Sequence, residues 1–90
     1  MNELSKIINQ LKTPKEVQKF FNEILTKSEI EVLSKRWRIL RMLNNGATQR
    51  DIAKELNVSL CKVTRGSKIL KDNNAIVTKF LKGDKTNGNK

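Results

Sequence analysis

The side chains best suited to molecular recognition in this 90-residue chain are the hydroxyl and cationic groups between Gln49 and Lys68. Such groups donate hydrogen bonds to base edges and neutralise phosphate oxygens. Apolar residues in the same stretch have helical spacing, because Ile52 and Leu56 are four residues apart and Leu60 and Val63 are three apart. The pattern predicts two short helices, the second burying Leu60 and Val63 and leaving its polar side free.

The connection between these predicted helices is Asn57-Val58-Ser59. The Ser59 hydroxyl is placed to accept a hydrogen bond from an N–H group at the start of the second helix. Two helices joined in this way form a helix-turn-helix, predicted over about residues 49–71, whose second helix enters a DNA major groove. The residues predicted to contact DNA, at phosphates near the first helix and at bases along the second, are Gln49, Arg50, Ser59, Leu60, Cys61, Lys62, Thr64 and Lys68.

The composition favours a polyanionic partner. Nineteen basic and nine acidic residues give a formal net charge of +10, which attracts nucleic acid through counterion release. Charge alone also fits a basic module that docks onto an acidic protein or RNA. No secretion signal is found, no apolar run approaches the roughly 20 residues of a membrane span, and Cys61 is the only cysteine. We therefore expect a cytoplasmic protein without a membrane partner.

Catalysis and metal binding are not predicted. The sequence contains no histidine, and one cysteine by itself forms neither a zinc site nor a nucleophile with its base. A paired-carboxylate motif and a glycine-rich phosphate loop are also lacking. The interpretation is a binding protein with no catalytic residue, metal or prosthetic group.

Helix start signals recur along the chain. A threonine followed three residues later by an acidic residue can exchange hydrogen bonds with the first turn of a helix. One proline, four glycines and apolar stripes of helical period complete the prediction of an all-α fold. The threonine and acidic residues are Thr13 with Glu16, Thr26 with Glu29 and Thr48 with Asp51.

Wide apolar stripes occupy the predicted helices outside the helix-turn-helix. Trp37 is expected in the core, and the amount of apolar surface favours a helical homodimer scaffold over a compact monomeric bundle. Twofold symmetry would hold two recognition helices roughly 34 Å apart on a palindromic operator. Residues 1–82 are predicted to form one domain, and the polar run 83–90 a mobile tail. The stripes are Leu4, Ile7, Ile8 and Leu11; Val17, Phe20, Phe21, Ile24 and Leu25; Ile30, Leu33, Trp37, Leu40 and Leu43; and Ile76, Val77, Phe80 and Leu81.

With these motifs the sequence resembles the bacterial Trp repressor family, over residues 13–82 and most closely from 25 to 71. Generic helix-turn-helix proteins usually have an apolar residue in place of Gly66, so the Arg-Gly-Ser run is the more specific part. The resemblance implies an all-α, Trp-repressor-like homodimer that represses transcription with L-tryptophan as corepressor. The matching motifs are Leu25-Thr26, Arg36-Trp37-Arg38-Ile39, Thr48-Gln49-Arg50, Thr64-Arg65-Gly66-Ser67 and Leu70-Lys71.

The same resemblance implies an effector site at Thr26, Arg36, Arg65 and Gly66. Arg36 and Arg65 would flank an indole ring, Thr26 and Arg65 would hold its carboxylate, and Gly66 would leave room for the ring. A guanidinium group stacks on aromatic faces and pairs with carboxylates. From the residues alone, Arg36 is equally suited to an ion pair with Glu29, and Thr26 to a helix cap.

Two features depart from the tryptophan-responsive members of the family. Ile69 stands where those proteins have a serine that helps to hold the ammonium group, and the segment from Arg36 to Gln49 is one residue shorter. These differences leave the identity of a small aromatic effector open. An effector-independent regulator of the same family is the alternative.

Overall fold

The computed structural model describes the backbone of residues 1–88 and the side chains of residues 1–82, and over that range it contains six α-helices and no strand. The all-α prediction is thereby confirmed. The chain divides into two compact units, Met1–Leu33 and Ser34–Lys90. In chain order the helices are α1 (Asn2–Gln10), α2 (Pro14–Ile24), α3 (Lys27–Asn44), α4 (Gln49–Leu56), α5 (Leu60–Lys71) and α6 (Ile76–Gly88).

In the N-terminal unit, Met1–Leu33, α2 begins at its predicted cap. The Thr13 hydroxyl accepts a hydrogen bond from the Glu16 N–H group (3.1 Å), and Pro14 is the first helical residue. The Glu16 carboxylate accepts a hydrogen bond from the N–H group of Lys12 (2.8 Å) and not from that of Thr13. The sequence signal therefore starts the helix, with the carboxylate reaching one residue further back than in the usual capping box.

The start of α3 has the full reciprocal cap. The Glu29 N–H group donates to the Thr26 hydroxyl (3.2 Å), and the Thr26 N–H group donates to the Glu29 carboxylate (2.8 Å). Helix geometry leaves the first N–H groups of a helix without a backbone partner, and this exchange supplies one.

The apolar stripes of α1 and α2 are largely uncovered in the single chain. Neither helix contains a buried residue. Ile7 and Ile24 are 43% and 51% exposed. Phe20 and Phe21 are half-buried, with their rings edge to face at a centroid distance of 5.7 Å. These two helices therefore keep apolar surface available for further packing.

The C-terminal unit, Ser34–Lys90, has a closed apolar core. Ile52 and Val63 have no exposed surface, so α4 and α5 are fixed against each other. Ile39 adds the end of α3 to the same cluster. The core consists of Ile39, Ile52, Leu56 and Val63, with Met42, Leu43, Ala47, Ala53 and Val58 packed against it.

The prediction that Trp37 lies in the core is wrong for the single chain, in which this side chain is 42% exposed. The buried residues of α3 are Ile39 and Leu40. Helical periodicity identifies apolar positions, but the turns that become covered depend on where the other helices reach. In this unit the helices that pack on α3 bury Ile39, and the indole of Trp37 is not part of the buried cluster.

A residue in the left-handed region shapes the connection between α4 and α5. Asn57 has φ 55° and ψ 51°, a conformation that asparagine adopts more readily than most residues. The Val58 N–H group bonds to the Ala53 carbonyl (3.1 Å), and the Ser59 hydroxyl accepts from the Lys62 N–H group (3.4 Å). The turn and cap expected at this point are both present.

A polar contact joins α6 to α5. The buried Thr78 hydroxyl donates to the Ile69 carbonyl (3.0 Å). Leu81 is also buried, whereas Ile76 and Phe80 are exposed. In the single chain the predicted apolar face of α6 is therefore covered at Leu81 and uncovered at Ile76 and Phe80, while Thr78 lies on the covered side.

The predicted tail, 83–90, overlaps the end of α6. The backbone of this helix runs to Gly88, while the side chains from 83 onward and residues 89 and 90 lie outside the described residues. The domain boundary at residue 82 and the mobility of the tail stay predictions.

Candidate nucleic-acid interface and adjoining pocket

Helix α5 has a buried side and an exposed side. Val63 and Gly66 are buried in the unit. Leu60, predicted on the buried side with Val63, is 48% exposed. That part of its prediction is wrong, because Leu60 is the first residue of α5 and lies beyond the turn that the core covers. The exposed residues of the first three turns are Leu60, Cys61, Lys62, Arg65 and Lys68.

One shallow depression on this helix brings together Leu60, Cys61, Thr64, Arg65 and Lys68. The grouping follows from their spacing, since residues three and four apart are neighbours on a helix. An aliphatic side chain, a hydroxyl and two cations provide the contacts that thymine methyl groups, base edges and phosphates accept. Four residues predicted to contact DNA therefore share one surface, with the addition of Arg65.

The start of α4 is joined to this surface by a hydrogen bond between side chains. The Thr64 hydroxyl donates to Oε1 of Gln49 (3.0 Å), and both residues are half-buried. The Thr48 hydroxyl accepts from the Asp51 N–H group (3.1 Å) and caps the helix as predicted. Arg50 is exposed. The first turn of α4 thus lies beside α5, held by its cap and by Thr64.

Ser59 and Lys62 do not line the depression on α5. Both are exposed, and the Ser59 hydroxyl is the cap of α5. Capping uses one lone pair of the hydroxyl and leaves its proton free to donate. Contacts from these residues to DNA stay predictions.

A second pocket, of about 240 Å³, lies between α3 and α5. It has an apolar floor and a cationic rim, which suits a flat apolar ligand carrying a carboxylate. Arg36 and Arg65, predicted to bind one effector, are brought together here. The lining residues are Arg36, Ile39, Leu40, Lys62, Arg65, Gly66 and Ile69.

The sequence interpretation missed part of this pocket. The sequence motifs predict a DNA contact alone for Lys62 and do not identify Ile39 as a lining residue. The signal was available in the spacing, because Arg36 lies three residues before Ile39, and Lys62 lies three before Arg65. Residues three and four apart share a face of a helix, so Arg36 lies beside Ile39 and Leu40 on α3, and Lys62 lies in line with Arg65 and Ile69 on α5.

Gly66 has a packing role in addition to its place in the pocket. A β-carbon at this position would lie 3.1 Å from Cγ2 of Ile39, 3.3 Å from Cδ1 of Leu43 and 3.4 Å from Cδ2 of Leu40. The space beside the glycine is therefore filled by side chains of α3, and the missing β-carbon lets α5 approach that helix closely. Contact between Gly66 and an effector ring stays a prediction.

Thr26 belongs to the N-terminal unit, where its hydroxyl accepts the Glu29 N–H group as part of the α3 cap. The carboxylate of Glu29 accepts the N–H group of Thr26 in return. The cap role of Thr26 is thus present, and its role toward an effector stays a prediction.

Among the residues that the structure describes, no group of three or more acidic, cysteine or histidine side chains could hold a metal ion. Over the same part of the chain, no helix combines the length and the apolar character needed to cross a membrane. Cys61 is exposed and is not in a disulfide.

Comparison with known proteins gives one consistent family. The family model described as "Trp repressor protein" matches residues 1–85. A Trp operon repressor homolog of Xylella fastidiosa is 40% identical over 72 residues, covering 79% of this chain and 78% of the relative. The homolog of Chlamydia caviae is 36% identical over 77 residues, covering 84% and 76%. The homolog of Chlamydia trachomatis serovar D is 34% identical over 76 residues, covering 83% and 81%. No solved structure matched the chain significantly. The resemblance in the sequence motifs is thereby confirmed.

Proposed function

The chain belongs to the Trp repressor family, and on that premise we propose that it is a transcriptional repressor that binds a palindromic DNA operator as a homodimer. The family is one of regulators, which agrees with the interpretation that the chain is not an enzyme. The observation that carries the proposal is the exposed face of α5. It presents Lys62, Arg65 and Lys68 to solvent while Val63 anchors the helix in a closed core.

The α4 and α5 pair acts as a helix-turn-helix in this proposal. α5 enters the major groove, and the first turn of α4, with Gln49 and Arg50, approaches the phosphate backbone. Phosphate contacts fix the register of the protein, and the side chains of α5 select the sequence. The net charge of +10 makes binding strongly salt-dependent.

The homodimer is supported by the apolar surface of the N-terminal unit. α1 and α2 bury no residue in the single chain, and Ile7 and Ile24 are exposed. A second copy of the chain would cover such stripes and would hold two α5 helices at the spacing of successive major grooves, roughly 34 Å. A bacterial repressor of this kind works in the cytoplasm.

The pocket between α3 and α5 supports regulation by a small amphipathic carboxylate, with L-tryptophan as the first candidate. Arg65 would pair with the carboxylate, and Ile39 and Leu40 would contact the ring. Ile69 offers no hydrogen bond to an ammonium group. This last point favours an effector-independent repressor as the second candidate function.

The decisive experiment for the repressor is selection of bound duplexes from a random pool. We expect a palindromic site with a dissociation constant at least about a thousandfold below that of a scrambled duplex. Equal affinity for selected, scrambled and single-stranded RNA probes would contradict sequence recognition and would support a basic interaction module instead. When Lys68, a cation of the α5 depression, is changed to alanine, Lys71→Ala is the control for loss of charge alone, because Lys71 is an exposed cation outside that depression.

A thermal-shift series tests the effector separately. The compounds are L-tryptophan, indole-3-propionate, which lacks the ammonium group, and tryptamine, which lacks the carboxylate. A ligand that binds only the folded protein raises its melting temperature, by an amount that grows with the ratio of free ligand concentration to the dissociation constant. We expect stabilisation by the two carboxylates, its loss in Arg65→Ala, and none by tryptamine. If none of the three raises the melting temperature while the operator is still bound, L-tryptophan is not the corepressor and the proposal of a repressor stands without it.

A further inference from the structure

The hydrogen bond between Thr64 and Gln49 links the recognition helix to the helix that precedes it. It joins side chains 15 positions apart in the sequence, at 3.0 Å, in a half-buried place. Gln49 is the first residue of α4, and Thr64 lies in the second turn of α5. The contact therefore fixes a side chain at the start of α4 relative to the face of α5.

The direction of this hydrogen bond decides what Gln49 can offer to a ligand. Its Oε1 accepts the Thr64 hydroxyl proton, so its NH₂ group is directed away from that oxygen and keeps two donors. The neighbouring Asp51 N–H group is already bonded to Thr48. A helix start directs its first N–H groups outward, and the amide of Gln49 adds donors of the same kind at the same end.

We propose that Thr64 is a positioning residue, whose hydroxyl holds the carboxamide of Gln49 with its NH₂ group toward a DNA phosphate. This inference rests on the proposed DNA-binding function and changes the role predicted for Thr64, from contacting a base to orienting a phosphate contact. Because phosphate contacts carry no sequence information, Thr64 then contributes equally to binding of every duplex.

The burial of Thr64 favours this role over base recognition. Its neighbours Leu60, Cys61 and Lys68 are exposed, whereas Thr64 is half-buried and its single hydroxyl proton is already donated. A base contact through that proton would require the hydrogen bond to Gln49 to break. Without that bond, the long Gln49 side chain would also have to give up its rotamer freedom on meeting DNA.

A double-mutant cycle on DNA affinity tests the proposal. The variants are Thr64→Val, which keeps the shape of the side chain without its hydroxyl, Gln49→Ala, and the two combined. Dissociation constants are measured on the selected duplex and on a scrambled one. We expect each single variant to weaken both duplexes by roughly tenfold, the size of a lost hydrogen bond to a charged group. The double variant should be no weaker than either single variant, because both remove the same phosphate contact.

Two conservative variants separate positioning from a structural role. Thr64→Ser keeps the hydroxyl and should keep affinity. Gln49→Glu keeps an acceptor for Thr64, and so keeps the fold, but cannot donate to a phosphate and should lose at least tenfold on both duplexes. Melting temperatures within a few degrees of the parent protein confirm that each variant is folded.

The outcomes distinguish this inference from the proposed function. If the parent protein prefers its selected duplex but Thr64→Val weakens that duplex alone, Thr64 contacts a base and the positioning role is overturned. Additive losses in the double variant, or full affinity in Gln49→Glu, overturn it as well. If the parent protein binds no duplex, the DNA-binding function itself fails and the inference falls with it.

Discussion

The N-terminal helices and the α4 and α5 pair have equally clear helix signals but very different packing. α1 and α2 bury no residue in the single chain, whereas Ile52 in α4 and Val63 in α5 have no exposed surface at all. Both regions are rich in apolar residues, so apolar content does not explain the contrast. One region closes a core within its own unit, and the other leaves its apolar stripes largely uncovered in the single chain.

Helix caps are the same in the two regions. Thr13 and Thr48 each accept the N–H group three residues later at 3.1 Å. A capping residue therefore starts a helix in the same way whether or not that helix is buried in a core. The difference between the regions arises at the level of tertiary contacts, and the variants below test it there.

The largest expected effect is that of a core truncation in the C-terminal unit. Ile52→Ala removes buried methyl groups from a site with no exposed surface and should lower the free energy of unfolding by about 2–5 kcal/mol. Urea denaturation at low protein concentration measures it. Ile7→Ala, at a position 43% exposed, is the matched control and should cost less than half as much. If the two variants lower the free energy of unfolding equally, the two regions do not differ in how strongly their apolar side chains are packed.

A charge on the exposed stripe of α2 should have the next largest effect, on self-association. Ile24→Asp places a carboxylate where the proposed homodimer buries an apolar side chain that is 51% exposed in the single chain. We expect dimerisation to weaken roughly a hundredfold, about 3 kcal/mol. Sedimentation velocity over a range of concentrations measures the change.

The control for this variant is Asn22→Asp, which introduces the same charge at an exposed polar position of α2. It should leave association within a few-fold of the parent protein. Should Ile24→Asp associate as strongly as Asn22→Asp, another surface of the chain would have to form the homodimer.

The sequence predicts contacts between residues close in the chain better than it predicts contacts between helices. The starts of α2, α3, α4 and α5 follow from threonine and serine caps, because a cap and its partner are three residues apart. The family also follows from short motifs. The mistaken placements of Trp37 and Leu60 have one cause, which is that periodicity identifies a face and leaves undetermined which turns other helices cover.

The candidate site shows the same division. Spacing along α5 is enough to group Cys61, Thr64 and Lys68, since neighbours on a helix follow from its period. The hydrogen bond from Thr64 to Gln49 and the close approach at Gly66 could not be predicted, because each depends on how two helices pack against one another.

A smaller effect is expected at the contact between α3 and α5. In Gly66→Ala the new β-carbon would lie 3.1 Å from Ile39 and 3.3 Å from Leu43, so these side chains must shift. Overpacking of about 1–3 kcal/mol is partly offset by the better helix propensity of alanine, about 1 kcal/mol. The net loss of stability should be about 0–2 kcal/mol in thermal or urea unfolding. A gain in stability would mean that Ile39 and Leu43 move aside at little cost, so that the helix propensity of alanine outweighs the overpacking.

The smallest effects are expected from the two matched caps, and they compare the regions most directly. Thr48→Ala and Thr13→Ala each remove a 3.1 Å hydrogen bond worth about 1 kcal/mol. In Thr13→Ala, amide hydrogen exchange should become faster within α2 alone, because no residue of that helix is buried in a core. The loss at Thr48 should spread through α4 and α5, which share Ile52 and Val63 in one cluster. Only Thr48→Ala should also weaken DNA binding, since the first turn of α4 is proposed to contact a phosphate. If hydrogen exchange instead rises only within the mutated helix for both variants, the closed core does not couple α4 to α5.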